Sequence, residues 1–248
     1  MAARARVHLV DRGARGAPPL LFVHCWGVSS AAFGAFFDRL AEHYRVVAPD
    51  LPGFGRSRAS GEAVSYEAYA DVLAGVLADL RIERAHVAGL SMGGGVALSF
   101  AARHPQRVRT LVLMAPTGCP DVSLPRLACN RVIELVEQAL SPAHAHGKAP
   151  VARSFAANLL RHPATLAATL RMLASRSLVE DARQVTAPTL LLWGARDRTI
   201  PPRLAPQFIE RLPGATLHVM EGSFHEMATP QPEETARIIH DFISRAKA

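Results

Sequence analysis

Cysteine is scarce, lysine is nearly missing and no long apolar run occurs, and each shortage excludes something. Cys25, Cys119 and Cys129 are the three cysteines of the chain. They show no metal-ligand spacing, and every disulfide scheme leaves one of them unpaired, which suits a reducing compartment. The cytoplasm is therefore the expected location. The stretch from Met1 to Val7 lacks the apolar centre of a signal peptide, and no later segment approaches the length of a membrane span. No membrane partner is expected. Lysine is confined to Lys148 and Lys247, so the net charge of +7 rests on arginine. The arginines are scattered through an alanine-rich chain, which is a property of overall composition rather than of a phosphate-binding face. No nucleic-acid partner is expected either.

What the chain does have is apolar content: 49% of 248 residues, enough for one substantial core. An α/β domain of this length need not divide in two. The central stretch runs from Ala85 to Phe100. Ala85, Val87, Ala88 and Leu90 form a short apolar run of the kind that makes a strand covered on both faces. Gly89-Leu90-Ser91-Met92-Gly93 then fits G-x-S-x-G, a strand-to-helix turn whose small neighbours let a serine stand clear. The helix that follows, through Val96, Ala97 and Phe100 to His104-Pro105, directs its N-terminal N–H groups and dipole at Ser91, an arrangement that favours an oxyanion. On its own this pattern also fits a chance occurrence in a glycine-containing turn.

Four further pieces accompany it: His24-Cys25-Trp26-Gly27, Asp50-Leu51-Pro52-Gly53-Phe54-Gly55-Arg56-Ser57, Trp193-Gly194-Ala195-Arg196-Asp197 and Gly222-Ser223-Phe224-His225. With the serine stretch, and in this order, they resemble the α/β-hydrolase family over nearly the whole chain. The resemblance implies an α/β fold with a mostly parallel seven-stranded sheet flanked by helices, seven because too few residues precede the first strand for the family's extra edge strand. It also implies a helical cap inserted after the sixth family strand. Residues 1–118 and 181–248 then form the core domain and 119–180 the cap.

The periodicity agrees. It predicts strands over Arg6 to Val10, Leu20 to Val23, Arg45 to Ala48, Thr110 to Ala115, Pro188 to Trp193 and Ala215 to Met220, with Asp11-Arg12-Gly13 to Pro18-Pro19 as a turn. A helix over Phe33 to His43 turns Phe33, Phe36, Phe37 and Leu40 inward, and another begins after an N-cap at Ser65 and runs to Arg81. Pro230, Pro232 and Glu233 start a closing helix that turns Ile238, Ile239 and Phe242 inward. From Cys119 to about Glu180 the β/α alternation stops. Three helical patterns follow there: Leu127 to Leu140, Phe155 to Leu160 and Leu166 to Leu173. His144 and His146 fall in a punctuating stretch with no nearby carboxylate or cysteine cluster, so a solvated loop is expected rather than a metal site.

By resemblance, Ser91 is the nucleophile, His225 the base and Asp197 its carboxylate partner, in the chain order Ser, Asp, His that belongs to this fold. For Asp197 the residues also allow a turn aspartate capping the helix after Pro201-Pro202. The backbone N–H groups of Trp26 and Met92 are the implied oxyanion donors. Cys25 stands where the family usually has glycine, and a small thiol packed under the loop is the expected reading. His24 and Asp50 are expected to hold loops in place. A serine nucleophile points to acyl-enzyme chemistry on carboxylic esters, with thioesters and lactones close by, and needs neither metal nor organic cofactor. Perhydrolase, C–C hydrolase and lyase chemistry share the scaffold, as does a ligand receptor of low turnover. The missing Gly-Gly-Gly-Pro-Gly segment argues against C–C hydrolysis. The expected partner is a small-molecule ester substrate. Similarity to biotin-pathway carboxylesterases, with Arg126, Arg131, Arg153, Arg161 and Arg171 in the cap, adds an acyl-carrier protein as a second.

Overall fold

A computed structural model describes residues 7–59, 64–119, 124–140, 148–175 and 177–246. The seven strands are β1 (Leu9–Arg12), β2 (Pro19–Val23), β3 (Arg45–Pro49), β4 (Ala85–Leu90), β5 (Val108–Met114), β6 (Thr189–Gly194) and β7 (Thr216–Met220). They form one sheet in the order β1-β3-β2-β4-β5-β6-β7. Only β1 runs antiparallel to its neighbour, pairing Leu9 with Pro49. Every residue of β4 and of β6 is buried, as strands with helices on both faces require.

Helices α1 (Gly34–Leu40), α2 (Tyr66–Asp79), α3 (Met92–Arg103), α7 (Ala205–Ile209) and α8 (Pro232–Ala246) belong to the alternating part of the chain. Between β5 and β6 stand α4 (Leu124–Leu140), α5 (Lys148–Arg161) and α6 (Pro163–Ser175). No helix among the described residues is long and apolar enough to cross a membrane. Phe33, Phe36 and Phe37 are all buried and pack around Phe22 with ring centroids 4.9, 5.6 and 5.2 Å away, which seats α1 on the sheet. Ser65 caps α2, its Oγ accepting from Ala68 N at 3.0 Å. Ile238, Ile239 and Ile243 form the buried side of α8, with Phe242 half-buried beside them.

Among the boundaries that differ from the sequence expectation, two lie near the start of the chain. Arg6, where the expected strand begins, lies outside the described residues; the strand observed is Leu9–Arg12, so Asp11 and Arg12 belong to strand and not to turn. Their charges suggested a loop, but on an exposed edge each has a partner. Asp11 pairs with Arg45 at 2.7 Å, while Arg12 donates to Gly34 O at 3.1 Å and also pairs with Asp38. The turn begins two residues later at Gly13, whose φ of +91° and 2.3 Å Cβ approach to Tyr44 O leave no place for a side chain. The helix expected over Phe33 to His43 is shorter, because Ser30–Phe33 form a 3₁₀ turn and α1 ends at Leu40.

Parallel strands with aligned ends place their following loops side by side. Val23 pairs with Gly89, and Leu90 with Met114, so the loop after β2 lies beside Ser91 and the loop after β5 lies on its other side. The loops after β6 and β7 complete the row, since Gly194 pairs with Met220. Ligands of open α/β sheets bind at this carboxyl edge.

Candidate active site

Ser91 occupies the one-residue corner between β4 and α3. Its φ of 56° and ψ of −117° are a conformation that costs a side-chain-bearing residue roughly 1–3 kcal/mol. The corner is held from three sides: Ser91 N donates to Met114 O at 2.9 Å, and Ser91 O accepts from Thr117 N at 3.0 Å and Gly95 N at 3.1 Å. The flanking glycines are steric requirements. A Cβ on Gly89 would lie 2.2 Å from Gly93 O, and one on Gly93 would lie 2.1 Å from Val23 O. Both obstacles are backbone and cannot swing aside. Gly93→Ala is therefore expected to lose roughly 3–5 kcal/mol of stability, read as a drop in the urea midpoint, whereas a loss under about 1 kcal/mol would contradict this packing. Ser91 is only 8% exposed. Met92 opens α3, so its N–H has no acceptor within the helix.

The loop after β2 is held by its histidine. His24 is buried, with Nδ1 3.0 Å from Cys25 O and Nε2 accepting from Leu51 N at 3.0 Å. These partners fix one neutral tautomer, and burial, opposed by the charge of Asp50, lowers its pKa. Both ring nitrogens are thus engaged in tying loops together. Asp50 does similar work, Oδ1 accepting from Ser30 N at 2.9 Å and Oδ2 from Arg56 N at 3.0 Å. Cys25 is not among the positive-φ residues. Gly27 is, at +80°, so the backbone freedom needed here falls on the glycine this chain retains. Burial pushes the Cys25 thiol up to about 12, which keeps it protonated and inert. The Trp26 ring reaches the helices above: Nε1 donates to Thr169 Oγ1 at 3.0 Å, and the indole packs on Phe155 at 5.8 Å.

Asp197 and His225, twenty-eight residues apart, meet at 2.8 Å through Oδ2 and Nδ1. Both are buried. Asp197 Oδ1 also accepts from Ile200 N at 2.7 Å, so the turn-capping contact and the histidine contact coexist on one carboxylate. A carboxylate at Nδ1 places the proton there and leaves Nε2 with its lone pair. Burial works against charging His225, but Asp197 and the more distant Glu134 outweigh it and raise its pKa. The two loops are stitched by Arg196 N donating to Ser223 O at 2.8 Å.

The helices between β5 and β6 are latched to these loops by polar contacts. Asn158 in α5 accepts from Gly55 N at 2.7 Å and donates to Gly27 O at 3.0 Å, and Ser154 accepts from Ser29 N at 2.8 Å. In α4 the inward residues are Glu134 and Gln138, while Val132 is 62% exposed and Ile133, Leu135 and Val136 also face outward. Glu134, 0% exposed, has no counterpart among the sequence candidates. Its signal was a stripe of Arg131, Glu134 and Gln138 at helical spacing inside an apolar stretch. His144 and His146 lie outside the described residues. Among the described residues, no cluster of three metal-ligating side chains occurs.

The profile of the alpha/beta hydrolase family matches residues 20–238. A pimeloyl-[acyl-carrier protein] methyl ester esterase of Aeromonas hydrophila is 31% identical, over 94% of this chain and 98% of its own. A 2-hydroxymuconate semialdehyde hydrolase of Pseudomonas putida is 32% identical, over 100% of this chain and 94% of its own. Among solved structures, a thermophilic esterase from Thermogutta terrifontis superposes with a TM-score of 0.80 at 26% identity, covering 98% of this chain and 94% of its own. With a family profile spanning most of its length and relatives above 30% identity throughout, this chain belongs to the alpha/beta hydrolase family.

Proposed function

We propose that the protein hydrolyses carboxylic esters of small to medium acyl groups through an acyl-enzyme on Ser91, with His225 as base, Asp197 as its carboxylate partner and the Trp26 and Met92 N–H groups as oxyanion donors. The observation that carries the reading is the buried Asp197–His225 pair, aligned at 2.8 Å on the same sheet edge as a serine held in a strained corner. In this reading Ser91 Oγ attacks the ester carbonyl as its proton passes to His225 Nε2. The tetrahedral oxyanion is stabilised by N–H groups already in place, which costs no reorganisation during the reaction. His225 then protonates the departing alcohol, and a water activated by the same nitrogen releases the acid and restores Ser91.

Residues 119–180 act as a cap over this edge, with 1–118 and 181–248 as the core that carries the chemistry. Cys25, Cys119 and Cys129 form no disulfide among the described residues, which supports a cytoplasmic setting. An acyl-carrier protein as bearer of the ester draws support from the name of the Aeromonas relative. A cleft of about 550 Å³, where Arg126, Arg196, Arg198 and Arg203 gather against Glu137, offers such an acidic partner a basic face. Of the cap arginines named from sequence, Arg131 is committed to Glu226. The second reading is C–C bond hydrolysis on the same residues, favoured by the 32% identity to the Pseudomonas hydrolase.

The test is turnover of p-nitrophenyl acetate, butyrate and octanoate, with intact-mass detection of a fluorophosphonate adduct mapped to Ser91. The chain-length profile of kcat/KM measures how much acyl chain the site accepts. Turnover of a vinylogous 1,5-diketone with none of any ester would favour the C–C reading.

A further inference from the structure

Glu134 lies in α4, outside both loops that carry Asp197 and His225, yet most of its partners are in them. Its Oε2 accepts from Arg198 N at 3.0 Å, Thr199 N at 2.8 Å and Thr199 Oγ1 at 2.7 Å. Oε1 accepts from His225 N at 2.7 Å and from Gln138 Nε2 at 3.0 Å. An ionised carboxylate offers about four lone-pair sites, so this one is saturated. Such a buried charge is tolerated only when so satisfied, and a side chain kept merely for helix packing would be apolar at this position.

We propose that Glu134 is a positioning residue for the hydrolytic reaction: from the cap it clamps the acid loop to the histidine loop and lends its charge to the His225 cation that forms during proton transfer. The inference rests on the Ser91, His225 and Asp197 reading above. Asp197 fixes the imidazole by its ring nitrogen, and Glu134 fixes the same residue by its backbone. The two carboxylates also bracket the loop from 197 to 200, Asp197 taking Ile200 N and Glu134 taking the two N–H groups before it. Neither loop shifts against the other without breaking a bond to Glu134.

The charges around His225 come from three elements. Asp197 approaches from the loop after β6, and Glu134 and Arg131 approach from α4. Arg131 stands 3.7 Å from Glu134 and is paired with Glu226, next in sequence to His225. The Cys25 thiol faces the Arg131–Glu226 pair from the loop after β2 and stays neutral. Burial favours protonating Glu134, but the His225 charge, the Thr199 hydroxyl, the His225 N–H and Arg131 hold its pKa below the ordinary value. Glu134 and Arg131 therefore push the imidazole in opposite directions, Glu134 towards the cation and Arg131 away from it. Because Glu134 sits on α4, the base is fully aligned only while that helix is seated.

The experiment is the pH dependence of kcat and kcat/KM on p-nitrophenyl acetate for wild type, Glu134→Gln and Arg131→Met, each also labelled with fluorophosphonate. Glu134→Gln is expected to lower kcat about ten- to a hundredfold with KM nearly unchanged. Its acid limb is expected to move to lower pH by about half a unit or more, since a neighbouring negative charge has gone. Arg131→Met is expected to move the limb the other way. A packing role alone would reduce the amount of folded enzyme and leave both limbs where wild type has them. An unmoved limb in Glu134→Gln, or a kcat within about twofold of wild type, overturns the inference. If Glu134→Gln does not fold, Glu134→Asp decides, since it keeps the charge and shortens the reach: a kcat lowered about tenfold with the limb in place supports the clamp, and a kcat within about twofold of wild type overturns it. Wild type without turnover or adduct would instead sink the serine-hydrolase reading itself. Active, labelled wild type with unshifted variants sinks only the clamp.

Discussion

Ser91→Ala is expected to lower kcat on p-nitrophenyl acetate by about 10⁴- to 10⁶-fold and to abolish the fluorophosphonate adduct. The size of the effect follows from the lack of a substitute among the neighbouring described groups. The Cys25 thiol is buried and protonated, and the nearby Thr117 hydroxyl is engaged with Tyr66 Oη at 3.0 Å. Any residual rate would come from the N–H groups of Trp26 and Met92 acting on an ester attacked by water. The fold should be indifferent to the change. Among the described residues the bonds that hold the corner come from the Ser91 backbone, and alanine at a φ of 56° is strained about as serine is. Melting curves of the two proteins should therefore coincide while their rates separate. Equal rates in both would remove Ser91 from the chemistry, and no turnover or adduct in wild type would favour a ligand receptor on this scaffold.

The motifs legible in the sequence were those whose residue types are dictated by backbone geometry. Gly89 and Gly93 stand where a Cβ would strike backbone within 2.2 Å, and Ser91 is forced to positive φ between them, so the pattern is a direct record of the corner. The roles expected of His24 and Asp50 hold for the same reason: both are buried polar groups in loops rich in N–H donors. Cys25 fits where the family usually has glycine because the positive φ belongs to Gly27. What the sequence concealed depends on partners distant along the chain. Asp11 and Arg12 read as turn residues until Arg45 and Asp38 are beside them. In α4 the apolar spacing identifies a helix correctly and says nothing of which side is inward. There the inward stripe is polar because the loops beneath it present N–H groups, and Glu134 with Gln138 answers them. Hydrophobic periodicity locates a helix that covers a core; it misplaces the faces of one that covers an active-site rim.

The second large effect is expected at Asp197→Asn, with kcat falling about 10⁴-fold while the enzyme still folds and still binds substrate. The asparagine carbonyl keeps the bond to Ile200 N, and Glu134 keeps Arg198, Thr199 and His225 in place, so the loop geometry survives. What changes is the proton on the ring. An amide NH₂ facing Nδ1 donates to it, which moves the imidazole proton to Nε2 and removes the lone pair that Ser91 uses in the proposed mechanism. The pH profile separates this from general damage. In the proposed mechanism activity requires neutral His225, so the rate rises as pH passes upward through its pKa, and in wild type Asp197 and Glu134 hold that pKa above the ordinary histidine value of about 6.5. Without the Asp197 charge the acid limb should lie at lower pH, and raising the pH should not restore the lost rate, because the defect is a tautomer and not a protonation. A loss below about a hundredfold with an unmoved limb would mean that Asp197 only caps its turn, the alternative left open by its bond to Ile200 N.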